Sequence, residues 1–307
     1  MSTERKTHLD PLAVGVLLSC CAIWGVAQVA AKLTLAEVPP LLQSGLRSAG
    51  AALCLLLWSR WRGLKIFGAA DGTGRAGVLA GLMFAVEFGC IFVGLQFTTA
   101  SRMSVFLYLA PFVVALGMPL IARSERLSAL QGLGLVLAFG GVVWAFAEGF
   151  ERPAAGPLQW LGDALGMAGA ALWAGTTLLV RATKLGPALP EKTLLYQLVV
   201  SGLALVAASA LSAEVWPPSV STPVLLLMLF QIGVVTFGSY LAWFWLVRHY
   251  PATRVSAFTL LTPIFGLLAG VLLLGDPLTP RLVVALGTVC IGIAVVNLAT
   301  RPAAPPA

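Results

Sequence analysis

One stretch of this chain occurs twice. Residues 100–111 read ASRMSVFLYLAP and residues 252–263 read ATRVSAFTLLTP. At one constant offset Ala100 pairs with Ala252, Arg102 with Arg254, Ser104 with Ser256, Phe106 with Phe258 and Pro111 with Pro263. Behind each copy come an apolar run, an acid (Glu125 or Asp276), a leucine (Leu127 or Leu278) and a hydroxyl residue (Ser128 or Thr279). Upstream, AIWGVAQVAAKL from Ala22 matches ALWAGTTLLVRA from Ala171, setting Trp24 against Trp173 and Lys32 against Arg181. A unit of about 150 residues used twice limits the fold to two copies of one plan and the interface between them.

Composition says what surrounds those copies. The chain is 59% hydrophobic and 10% charged, with a mean hydropathy of +0.95. Soluble domains carry about 25% charged residues, so the solvent for most of this surface is a lipid bilayer. The net charge of +7 forms no patch. The basic residues cluster between apolar segments, which argues against nucleic acid and for membrane topology. Cys20, Cys21, Cys54, Cys90 and Cys290 all lie inside apolar segments without a CxxC, so they read as small core residues rather than metal or redox ligands. The N-terminus resembles a signal peptide, but its apolar run is too long for one and reads as a first spanning helix.

A spanning helix needs about 20 mostly apolar residues. Ten segments qualify: 12–35, 40–60, 75–96, 101–122, 128–148, 159–182, 192–212, 223–247, 252–274 and 280–299. Of the 19 Lys and Arg residues, Lys32, Arg102, Arg152 and Arg281 fall on one side of the membrane and Arg47 lies within the second segment. The others fall on the side of the termini, which places both termini in the cytoplasm. Five helices per copy is an odd number, so the second copy must insert upside down. The expected fold is therefore all-α, ten transmembrane helices as two inverted five-helix repeats around a central cavity. Residues 1–150 form the first repeat, 151–300 the second and 301–307 a disordered cytoplasmic tail. Inverted repeats are the plan of secondary transporters, with the substrate near the midplane.

Several residues are candidates for that site. Trp24 and Trp173 lie mid-segment, unlike the other tryptophans, and read as aromatic walls facing each other across the cavity. Glu87 is the one acid in the middle of an apolar segment, a costly position that calls for a wet cavity or a partner. It can bind a substrate ammonium, carry a proton or pair with Arg47, whose fork suits a carboxylate. Pro111 and Pro263 lack an N–H and kink their helices, exposing backbone beside Tyr108 and Thr259. Gln28, one turn after Trp24, then Thr177, Tyr240 and Trp243 complete the expected lining. Each of these also has a plainer use, in packing or in bonds between helices. No GxSxG, HExxH or phosphate-loop motif is present, so neither an enzyme nor a cofactor is expected.

The same residues resemble a known family. Ile23-Trp24-Gly25 with Lys32, Gly45-Leu46-Arg47, and Pro111 with Glu125 are similar to the EamA-type repeat of the drug/metabolite transporter superfamily. Phe258 through Pro263 with Asp276 and Leu278 resemble its second copy. One departure is Gln197, which stands where the first copy has Arg47. The resemblance implies an inner-membrane exporter of small organic solutes, similar to family members that export amino acids, including aromatic ones. Its partners would be a small-molecule substrate and the bilayer, with an oligomer possible but not indicated. The alternatives are an exchanger of nucleotide sugars or phosphorylated metabolites, which a single deep arginine disfavours, a channel, and a non-transporting membrane scaffold.

Overall fold

The computed structural model describes residues 10–64, 66, 71–121, 129–151, 153–250, 259 and 261–298. The tail at 301–307, Glu125, Arg254 and most of the second copy's 252–260 stretch lie outside the described residues. The described chain is helical: α1 (Pro11–Thr34), α2 (Pro40–Trp61), α3 (Gly74–Phe97), α4 (Ala100–Leu107), α5 (Ala110–Ile121), α6 (Ala129–Glu151), α7 (Gln159–Ala182), α8 (Pro190–Leu211), α9 (Thr222–Leu229), α10 (Tyr240–His249), α11 (Leu261–Ala269) and α12 (Pro280–Leu298). A π-helical stretch, Phe230–Ser239, joins α9 to α10, and a second, Gly270–Leu274, extends α11. Among the described residues, seven helices or helix pairs are long and apolar enough to cross a bilayer, and three shorter apolar helices join them. Together they account for the ten segments of the sequence.

Local chemistry sets the helix starts. Asp10 caps α1, its Oδ1 accepting the Ala13 N–H at 2.9 Å, and Pro11 follows at the first helical position, where its missing N–H costs nothing. At the start of α2 the Leu41 and Leu42 N–H groups donate to Glu214, each at 3.0 Å. That carboxylate lies on the positive end of the helix dipole. Glu37 does similar work on the loop before α9, accepting the Ser221 N–H at 2.7 Å. The Ser221 side chain, then its backbone N–H, holds the Glu37 carboxyl below its ordinary pKa. In the first copy of the repeated stretch the helix breaks. Tyr108 and Leu109 form a turn, and Pro111 sits in the first turn of α5.

Helix α3 packs along α7 and α8, α2 along α8, α1 along α11, and α6 along α12. Small residues allow the closest approaches. A Cβ on Gly162 of α7 would lie 2.7 Å from both the Gly94 carbonyl oxygen and the Thr98 nitrogen. At this end of the bundle one buried network ties five segments together. Arg102, 3% exposed, donates Nε to both Asp163 oxygens at 3.1 Å and Nη2 to Oδ2 at 2.6 Å. Its Nη1 donates to Glu148 Oε2 at 3.0 Å and its Nη2 also reaches the Ala145 carbonyl at 2.6 Å. Thr98 donates to Asp163 at 2.5 Å and Thr279 to Glu148 at 2.8 Å. Beside them Lys32 caps the end of α3 through the Leu95 and Thr98 carbonyls. Asp276 accepts the Ser101 N–H at 2.9 Å, which gives the acid behind the repeated stretch a use as the cap of α4.

Other polar ties hold the opposite end. Lys192 pairs with Asp71, and the Tyr250 hydroxyl donates to Asp10 at 2.9 Å. Bonds from Lys192, then from Thr73, hold the Asp71 carboxyl well below its usual range. A lowered pKa means that this tie is complete above the ordinary carboxylate range and is lost as pH falls through the folded value.

Two outcomes follow for stability, both measurable by thermal unfolding in detergent. Gly162→Ala should cost about 1–3 kcal/mol by overpacking, whereas Gly287→Ala, where an added Cβ meets nothing within 4 Å, should cost nothing. Asp163→Ala should cost about 3–5 kcal/mol, because it strands Arg102 without its main partner. A loss below about 1 kcal/mol would show the network to be dispensable.

Candidate functional site

The site is built on the midsections of α1, α2, α3 and the Thr222–His249 segment, with the α4–α5 break beside them. Trp24 of α1 donates its indole N–H to Ser239 Oγ at 2.7 Å. Its ring meets Tyr240 edge-on at 6.5 Å and Trp243 at 5.4 Å, both at 66°. Ser239 closes the π-helical stretch, a widened helix that recurs at functional sites. The stretch is anchored elsewhere by Gln231, which donates to Thr34 at 3.1 Å and accepts from Gln43 at 3.2 Å.

Arg47 of α2 is 5% exposed. Its guanidinium lies 4.1 Å above the Phe88 ring and 5.3 Å from Phe92, a cation–π seat of the kind that holds a desolvated arginine. Glu87 of α3 is also 5% exposed and lies within the electrostatic reach of Arg47 and Tyr240. The Tyr240 hydroxyl sits against the guanidinium. Arg47 Nε and Nη2, Glu87 Oε2 and Gln28 Oε1 are buried with no hydrogen-bond partner. An unsatisfied buried group costs about 1–3 kcal/mol, more when charged. Four such atoms lie on these three residues.

Tyr108 occupies the turn between α4 and α5, where the sequence places exposed backbone. It is 6% exposed and meets the Trp173 ring edge-on at 6.0 Å and 87°. Its hydroxyl lies beside Thr262 and within the electrostatic reach of Tyr240. The two tryptophans make no ring contact with each other among the described residues; each meets a tyrosine instead. Thr177 is exposed and bonds back to the Trp173 carbonyl at 3.0 Å, a bond within its own helix. Thr259 lies in the turn before α11, its carbonyl accepting the Thr262 N–H at 3.0 Å, and Pro263 follows inside that helix.

Trp24, Tyr240 and Trp243 are joined by ring contacts, with Arg47 against Tyr240 and Glu87 within its electrostatic reach, while Tyr108 and Trp173 form a second aromatic pair. The sequence reading omitted Phe88 and Phe92, although Phe84, Phe88 and Phe92 recur at the spacing of one helix face. It also omitted the pairing of Arg102 with Asp163 and Glu148. Asp163, an acid near the start of an apolar segment, was the available signal.

Comparison with known proteins agrees with this architecture. The model of the EamA-like transporter family matches twice, over residues 11–147 and 160–298. The chain is 25% identical over 303 residues to the uncharacterized transporter YvbV of Bacillus subtilis (strain 168), covering 96% of this chain and 94% of that one. It is 27% identical over 299 residues to an uncharacterized transporter of Archaeoglobus fulgidus, covering 92% and 97%. A solved crystal structure, 17% identical, shares the fold with a TM-score of 0.63 over 92% of this chain and 96% of its own. With both halves matched and the helices in place, the chain belongs to the EamA-like transporter family and is a multi-pass membrane protein.

Proposed function

We propose that this transporter exports amino acids with aromatic or apolar side chains, by alternating access between two inverted halves of the inner membrane protein. The observation that carries the reading is the pair of buried, opposite and incompletely bonded charges, Arg47 and Glu87, set among aromatic rings. A zwitterion satisfies both at once. Its carboxylate takes the open Nε and Nη2 of Arg47, and its ammonium takes Glu87 Oε2, with Gln28 Oε1 as a further acceptor. Trp24, Tyr108, Tyr240, Trp243 and Trp173 then receive the apolar side chain, with Thr177 and Thr259 at the margin.

The polar network around Arg102 lies at the end that charge counting assigns to the outer face. On this reading it closes that face while the halves rock about the site, with both termini in the cytoplasm. The α4–α5 break beside Pro111 divides the first repeated segment, and on this reading it and Pro263 supply the bending points. A phosphorylated or nucleotide-sugar substrate fits less well, because its charge calls for several cations and Arg47 is the one found in this cluster.

The test is counterflow in proteoliposomes preloaded with unlabelled phenylalanine and supplied with labelled phenylalanine outside. Wild type should exchange it saturably. Phenylalanine amide, which lacks the carboxylate, should compete about 10- to 100-fold more weakly, as expected for a lost charge-assisted bond. Glu87→Gln should raise the half-saturating concentration by a similar factor. If Glu87 holds an ammonium rather than a travelling proton, an imposed pH gradient leaves wild-type exchange unchanged. Equal competition by the amide would remove the zwitterion reading, and no exchange by folded protein would remove amino acids as substrates.

A further inference from the structure

On the outside of the bundle, α1 and the Thr222–His249 segment part to leave a groove of about 600 Å³. Along α1 it runs from Pro11 through Gly15 and Cys20 to Ile23, and on the other wall it passes Gly233 and Ser239. Both walls belong to helices long and apolar enough to span the bilayer, so hydrocarbon is what borders the opening. The polar atoms in the groove are already engaged. Ser19 donates to the Gly15 carbonyl at 2.9 Å, Cys20 to the Ser239 carbonyl at 3.8 Å, and Ser239 to Val235. A groove without free donors holds water poorly.

Its length is informative. Pro11 to Ile23 is twelve steps of a helix, about 18 Å, beginning in the first turn of α1 and ending near the middle of that helix. One leaflet of hydrocarbon is about half of a 30 Å core, roughly 15 Å. The groove therefore starts at membrane-surface depth and ends near the midplane, as an acyl chain does. At Gly15 and Gly233 an added Cβ would meet nothing within 4 Å, so open space lies over both glycines.

We infer that this groove is a binding site for one acyl chain of a phospholipid from the adjoining leaflet. The chain end reaches Ser239, which accepts the Trp24 indole. A seated chain therefore presses on the seam that positions Trp24, and lipid occupancy is coupled to the shape of the site.

The test uses the full-length protein in detergent, with an equimolar phosphatidylcholine carrying a diazirine midway along one chain. Detergent strips loosely held lipid, so a retained chain labels where it sits. Photoadducts mapped by mass spectrometry should fall on α1 between Val16 and Ile23 and on Val234. They should exceed several-fold those on Leu203 and Leu211, exposed apolar residues elsewhere. Gly15→Leu combined with Gly238→Leu should lower the groove adducts several-fold and leave the rest unchanged. If the double variant does not fold, Gly15→Leu alone should give the same direction, since its side chain enters open space. Adducts spread evenly over exposed residues, or groove adducts that survive filling, would overturn the site. Groove adducts displaced by phenylalanine without any change in lipid retention would assign the groove to the solute instead.

Discussion

A charge withdrawn from water into a bilayer must be met by opposite charge and donors. Two buried arginines meet that demand in different ways. Every guanidinium nitrogen of Arg102 is matched: two carboxylates and a carbonyl accept from them, and those acids are in turn bonded by Thr98 and Thr279. Arg47 is matched by ring faces and a nearby tyrosine, with two nitrogens left over. The first is a structural tie that joins α4 and α6 to α7 and, through Thr279, to the start of α12. The second is held open by a shell of phenylalanines. On the proposed reading, that contrast between a finished network and an unfinished one separates architecture from function.

The shell around Arg47 explains how an open charge is tolerated. Guanidinium sits on aromatic faces with little loss, being weakly hydrated. Phe88 and Phe92 come from the same helix as Glu87, so α3 supplies the seat of one charge and the opposite charge together. On the other side, the π-helical stretch turns Ser239 toward Trp24 and leads into Tyr240. The α4–α5 turn carries Tyr108.

Much of this was legible in the sequence because membranes simplify the code. Segment length and the run of breakers located the helices, and the duplicated stretch indicated two related halves. Glu87 and Arg47 stood out because charge in an apolar segment is costly. The edge-on meeting of Trp24 with Tyr240 was not legible. It depends on which helices become neighbours, and the pairing of Trp24 with Trp173 in the repeat says nothing of the tyrosine that each meets. Arg102 was read as a face marker because it lies near a segment end; its burial depends on Asp163 arriving from a different repeat. Sequence distance hides such partners, and hydrophobic periodicity carries no trace of them.

The central claim is that one guest bridges Arg47 and Glu87. It is tested most directly by calorimetric binding of phenylalanine to wild type, Arg47→Met, Glu87→Gln and the double variant. A guest gripped at both ends predicts strong losses in each single variant and a coupling of about 0.5–3 kcal/mol between them. Losses near zero, or losses that simply add, would contradict a shared guest and leave the two charges as independent parts of the packing.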